Sequence, residues 1–212
     1  MRLTDDIVED YKSNMTKPQV LPDLKKALKE WASVVAAMES GKQVLLLRKG
    51  GIWDPGFDVE APMFFLYPTR FHESGDQIRP EFQSILTQAK TLQAAEGKIR
   101  ISSLAQVVDS TETTSIETLK ELSQKTIYTP QSLWDRYQNF RPEESIQILF
   151  VRTYLLEKPQ TIQEKKSYLG CRSWVDLEEK VETGKLRPVL SDEAFQKARS
   201  EVHWTLNQTR GS

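Results

Sequence analysis

The sequence predicts an α+β fold: a small mixed or antiparallel curved sheet, or a partly closed barrel, flanked by helices. Three observations carry that expectation. Residues 44–47 and 63–67 are unbroken apolar runs of strand length, far too short to span a bilayer. Stretches rich in Ile and Val begin near Lys98 and Ile146 and add two longer strands. Amphipathic helical patterns fall between them irregularly, which argues against strictly alternating βαβ units. A restriction-endonuclease-like α/β arrangement is the alternative.

A chain of 212 residues can bury one substantial core. Charged residues make up 28% and apolar ones 38%, so the composition lies above the disordered regime. Lys and Arg number 29 against 30 Asp and Glu, which excludes a global basic field but leaves local basic patches open. Cys171 is the sole cysteine, and His72 and His203 are the two histidines. No intrachain disulfide and no Cys/His zinc centre can be built from that set, so neither metal nor other cofactor is expected. The opening MRLTDDIVEDY is acidic where a signal peptide needs a basic and then apolar run. The expected compartment is the cytoplasm, without membrane attachment.

Residues 1–22 read as a polar arm ending in a Pro-punctuated stretch. A single α+β domain is expected over 23–180, then a linker and amphipathic helix over 181–212, with Gly211-Ser212 reading as a cloning remnant. In residues 23–39, Leu24, Leu28, Trp31, Val35 and Met38 recur at helical spacing, with Lys25, Lys26, Lys29 and Glu30 on the wet face. Ser40-Gly41 supplies the stop. A strand over 43–49 closes at Gly50-Gly51, and a second over 63–67 ends at Pro68. Residues 80–95 predict a helix with Phe82, Ile85, Leu86 and Ala89 inward. A strand over 98–109 and short helices over 115–122 and 132–139 follow. Next come a long strand over 146–156, with Ile146, Ile148, Phe150, Arg152 and Tyr154 on one side, and a short one over 173–177. A helix from Ser191 is expected to carry Ala194, Phe195, Ala198, Val202 and Leu206 on its apolar face. Trp31, Leu46, Phe65, Phe150 and Val175 are expected to be buried together.

Several segments fall in one order along the chain: Ala27-Leu-Lys-Glu-Trp-Ala32, Leu45-Leu-Leu-Arg-Lys-Gly-Gly-Ile52, Phe65-Leu-Tyr-Pro-Thr69 with His72, Arg141-Pro142, and Gly170-Cys-Arg-Ser-Trp-Val175. Together they resemble the prokaryotic family known as domain of unknown function 1802, over roughly residues 24–178. The pattern departs where relatives carry an aromatic-acid-His-Gln run and this chain has Arg70-Phe71-His72-Glu73. It departs again where Thr126-Ile127-Tyr128 stands for a His-Ile-Trp-like triplet. The resemblance implies no settled activity; the restriction-type setting of some members implies nucleic acid. Ser40-Gly41-Lys42 followed by a strand ending in Arg48 is also similar to the Gly-x-Lys…Arg signature of PUA-like and ASCH-like barrels, which implies binding of nucleic acid or modified bases. The Glu of that signature is Leu here.

The side chains point to one binding constellation and one weaker catalytic one. Arg48 and Lys49 precede Gly50-Gly51, where glycine lets backbone N–H groups approach a phosphate; Arg70 follows the neighbouring strand. The plain alternative is a turn whose Arg is paired to Glu60. Arg172 and Trp174 alternate along a strand and would share a face that holds a base, with Cys171 turned inward. His72 is the candidate general base. Asp58 and Glu60 with Lys49 would bind magnesium in a nuclease or phosphodiesterase, the only reading that needs a metal. The leading expectation is therefore a cytoplasmic nucleic-acid-associated binding domain. A magnesium-dependent nuclease and a protein-interaction or assembly factor are the alternatives. Candidate partners are nucleic acid or another protein, and the oligomeric state stays open.

Overall fold

A computed structural model describes residues 23–49, 57–69, 73–91, 94–138 and 144–209. The arm, Gly50-Gly51, Arg70, His72 and Arg141-Pro142 lie outside the described residues. The strands are β1 (Lys26–Trp31), β2 (Leu45–Arg48), β3 (Met63–Thr69), β4 (Lys98–Thr113), β5 (Ile146–Gln163), β6 (Trp174–Asp176) and β7 (Arg187–Pro188). The helices are α1 (Ala32–Glu39), α2 (Gln83–Thr91), α3 (Ile116–Ser123), α4 (Pro130–Gln138) and α5 (Asp192–Thr209). The α+β class holds. The seven strands form one mixed sheet in the order β2-β5-β4-β3-β1-β6, with β7 added beside β5. Among the described strands only β1 and β3 run parallel; every other pair is antiparallel. No helix among the described residues is long and apolar enough to cross a membrane.

The predicted helix over 23–39 is replaced by a strand and a shorter helix. Residues 26–31 lie between β3 and β6, and the segment is buried on both sides: Leu28 faces one core and Ala27 the other. Helical spacing of apolar residues is real in the sequence, but two-sided burial in a sheet outweighs local propensity. The stop at Ser40-Gly41 is as expected. Gly41 donates to Met38 O (3.1 Å) and Lys42 to Ala37 O (2.8 Å), with Gly41 at φ +71°, a Schellman ending that a glycine supports. A Cβ at Gly41 would also meet Leu190 at 2.8 Å.

Pro68 does not end β3, which runs on to Thr69. Strand β4 pairs only Met63 to Phe65, so at Pro68 that side of β3 is an edge, where a missing N–H is tolerated. Strands β4 and β5 are longer than the sequence indicates, at 16 and 18 residues. Their register shifts between Ile101 and Ser103 and again between Val107 and Asp109, breaks of the kind that bend and twist long strands.

That bending produces two cores, not the single one expected. Trp31, Leu46 and Phe150 belong to the larger, which also takes α1, α3 and the apolar face of α5. Phe65 and Val175 belong to a smaller one, together with Tyr67, Tyr154, Ile162 and Tyr168. Strand β5 passes from one to the other, so Phe150 and Tyr154 pack in different interiors.

Helix α5 closes the larger core with Phe195, Val202 and Leu206. Its first turn is held by the ion pair of the buried Arg152 with Asp192. Further along, Arg199 Nη2 and His203 Nε2 meet Asp109 Oδ2 at 2.8 and 3.1 Å, and the His203 ring stacks on Phe150 at 4.4 Å between centroids.

Phe150 is fully buried, at the meeting point of β2, β4 and α5. Phe150→Ala is expected to lower unfolding stability by about 3–5 kcal/mol through lost burial and a residual cavity. Chemical denaturation measures this; a change under about 1 kcal/mol would remove Phe150 from the core.

Candidate functional site

Strand β2 stands at one end of the pairing order and β1 and β6 at the other, so no backbone ladder joins them. One side chain does. Arg48, the last residue of β2, donates from Nη1 to Lys29 O (3.2 Å) and Glu30 Oε2 (3.0 Å), and from Nη2 to Ser173 Oγ (2.8 Å). Its Nε is buried without a hydrogen-bond partner among the described residues, and its guanidinium lies 5.1 Å from the Phe57 ring centroid. Glu30 is the buried partner: its side chain is 2% exposed and that of Arg48 13%. The Trp31 N–H donates to Glu30 Oε1 (2.9 Å), and Tyr128 OH lies 3.5 Å from the same oxygen.

A second layer of cations and rings surrounds this clasp. Arg136 on α4 places its guanidinium 4.4 Å from the centroids of both Trp31 and Tyr128. One residue on, Tyr137 engages Lys49: Nζ donates to Tyr137 O (2.6 Å) and lies 4.8 Å from the ring centroid. Burial holds the Lys49 ammonium below its ordinary value, with Glu144 opposing the shift. On the other side of β1, Lys29 Nζ donates to Gly170 O (3.1 Å) and lies 5.9 Å from the Tyr67 ring centroid. Its value is also lowered, first by burial and then by Arg172, while Glu164 and Cys171 act the other way. Trp174 donates from Nε1 to Asp58 O (3.0 Å), stacks on Phe57 and meets Phe64 edge-on.

The expected binding residues are thus partly gathered. Arg48 and Trp174 meet through Ser173 and Phe57; Lys49 turns away to α4. Arg172 is exposed and precedes β6, which begins at Trp174, so the two do not alternate on one strand. Cys171 is exposed and not turned inward, because the chain at 170–173 is a bend and not a strand. Arg48 pairs with Glu30, whereas Glu60 accepts from Lys26 (2.7 Å). Asp58, Glu60 and Lys49 make their contacts with Trp174, Lys26 and Tyr137 respectively. No group of three or more His, Cys, Asp or Glu able to hold a metal forms among the described residues.

Sequence reasoning missed Glu30 and Tyr128, whereas Arg136 belongs to the aromatic- and Arg-rich stretch over 134–141, a composition also found at nucleic-acid and protein interfaces. Glu30 was placed on the wet face of a helix; in the strand, alternation sets it beside Leu28 on the inward side. The available signal was Arg48 itself. An Arg that closes an apolar strand requires a carboxylate when it is buried.

A family model described as Domain of unknown function (DUF1802) matches residues 27–201. Among curated proteins, none matches the chain. Similar solved structures include a serine-to-alanine variant of the ASCH protein from Zymomonas mobilis, at 14% identity and a TM-score of 0.43, covering 85% of this chain and 99% of that one. A tyrosine-to-phenylalanine variant of the same protein gives 14% and 0.42, covering 82% and 96%. At this level the likeness says nothing of function.

Two outcomes are expected from the clasp. Arg48→Ala leaves Glu30 buried and unpaired, and should cost about 3–5 kcal/mol of stability. Removing both partners, in Arg48→Met with Glu30→Leu, should cost much less; denaturation of the single and double variants measures the difference, and equal losses would deny the coupling.

The second outcome concerns alkali. Burial raises the phenols of Tyr128 and Tyr67 above their ordinary 10.0, aided at Tyr67 by the hydrogen bond to Glu164. Above that pH the unfolded chain loses phenolic protons that the folded chain keeps, so these groups make stability fall as pH rises. The lowered lysines act in the opposite sense below their ordinary 10.5. Tyr128→Phe should therefore flatten the alkaline fall of the urea midpoint relative to the parent chain, and an unchanged slope would contradict the assignment.

Proposed function

We propose, for a chain that belongs to the family of domain of unknown function 1802, that it is a cytoplasmic nucleic-acid-binding domain whose contact surface is the ring-rich seam around Arg48. The observation that carries this reading is a local surplus of positive charge on a chain of net charge -1. Arg48 and Arg136 converge on Glu30 and Tyr128, with Lys49 beside them against α4 and Lys29 and Arg172 across β1, while the carboxylates interacting with these cations are Glu30, Glu144 and Glu164.

The residues divide by role. Arg48 and Arg136 are committed to Glu30 and to the Trp31 and Tyr128 rings, so they set the field and hold the surface in shape. Arg172 is exposed and makes no hydrogen bond or ion pair to a described residue; Lys29 beside it has a carbonyl partner but no ion pair among the described residues. These two are the phosphate contacts. Phe57 and Trp174, stacked on each other and half-buried, present ring surface for a base. Such a surface suits single strands, whose bases are free to stack, and depends on phosphate for much of its affinity.

Fluorescence anisotropy with labelled single- and double-stranded oligonucleotides over a salt series tests this. Arg172→Ala should weaken binding several-fold and reduce the salt slope by about one, the signature of one lost phosphate contact. Trp174→Ala should weaken binding with a smaller change of slope, in protein shown by its melting curve to be folded. Absence of binding to every oligonucleotide at low salt would refute the proposal and leave protein interaction ahead.

A further inference from the structure

Between α1, α2 and β4 lies a cleft of about 110 Å³ that shares no residue with the seam. Its origin is readable in two periodicities. Ala32, Val35, Ala36 and Glu39 are spaced three, four and seven apart, one face of α1. Lys98, Arg100 and Ser102 are spaced two apart, one face of β4. Helix and strand meet at one end, where Ser102 and Ser103 donate to Glu39 Oε1 at 2.6 and 2.7 Å. Elsewhere the small side chains of α1, with Ala89 and Pro68 alongside, do not fill the space.

The polar groups in the lining have complementary valences. Both serine hydroxyls use Oε1 of Glu39, which leaves Oε2 to accept from a ligand. Arg100 is half-buried, Lys98 is exposed, and neither side chain makes a hydrogen bond or ion pair to a described residue. A half-buried guanidinium that shares a cleft with the Glu39 carboxylate but is not ion-paired to it is free to receive an anion. Among the described residues the remaining walls are aliphatic and carry no aromatic ring on which a nucleobase would stack. A cavity of about 150 Å³ holds benzene, so this space encloses about four or five heavy atoms, and a slightly larger ligand extends toward the solvent-open side.

We infer that this cleft binds a small aliphatic zwitterion of the amino-acid type, its acid group on Arg100 and Lys98, its ammonium on Glu39 and its side chain against the alanines of α1. The seam and the cleft are independent, so loss of one binding activity leaves the other.

Isothermal titration of the full chain with L-leucine, isocaproate, isopentylamine and adenosine monophosphate tests the inference. L-leucine should bind saturably. Isocaproate lacks the ammonium and isopentylamine the acid, and each should bind at least about ten-fold more weakly, the equivalent of about 1.4 kcal/mol. Arg100→Ala, which removes no internal hydrogen bond, should weaken L-leucine at least ten-fold with the melting temperature unchanged. Ala36→Phe should abolish binding by filling the cleft; if that variant does not fold, Arg100→Ala alone decides. Equal affinity for isocaproate and L-leucine would overturn the role of Glu39. Tighter binding of adenosine monophosphate, an unaffected Arg100→Ala, or no saturable binding at tens of millimolar L-leucine would overturn the proposal.

Discussion

The buried ion pair of Arg48 with Glu30 joins two sheet edges that no backbone hydrogen bond joins. An open sheet of this curvature has to end somewhere, and its edges carry unpaired backbone groups. Here one guanidinium spans the gap, satisfying the carbonyl of Lys29, the carboxylate of Glu30 and the hydroxyl of Ser173 at once. Burying such a pair gives little net stability relative to apolar residues of the same shape. Its effect is on geometry: any arrangement that separates β2 from β1 strands a charge in the interior. The rings of Phe57, Trp174, Trp31 and Tyr128 pack around that fixed point, directly or through neighbours.

The two cores explain how a modest chain supports so long a sheet. Strands β4 and β5 each contribute to both interiors, with their register shifts marking where the sheet bends. A short strand belongs to one layer; a strand of 18 residues has to leave it. The extra residues at each shift re-aim side chains, so alternation of inward and outward positions restarts beyond the bend.

Much of the fold was legible because apolar runs and caps are local signals. The runs at 44–47 and 63–67, the Ser40-Gly41 stop and the apolar face of α5 all appear where the sequence puts them. What was not legible is non-local. Residues 26–31 carry helical spacing, and only the presence of β3 and β6 on either side makes them a strand. That one difference hides Glu30, since a helix puts residue 30 on the face opposite Leu28 and a strand puts it on the same face. Arg48 would meet Glu60 only if β2 and β3 paired as a hairpin; β2 pairs with β5 instead, and the curved sheet brings Glu30 to Arg48. Alternation along a strand does not reach Arg172, because the chain becomes regular only at Trp174.

The position of α5 in the chain order governs how the molecule comes into being. This helix follows every strand in sequence, yet Phe195, Val202 and Leu206 complete the interior around Phe150, and Thr118 on α3 donates to Thr209 in its last turn (2.7 Å). During synthesis the ribosome releases all seven strands before it supplies their final cover. A nascent chain lacking α5 exposes the apolar side of β5 and depends on rapid completion, or on a chaperone, to keep it from other chains. Contacts of this sequence separation also make folding slow. The late helix therefore makes the folding of these strands wait until residues beyond Asp192 have been synthesised.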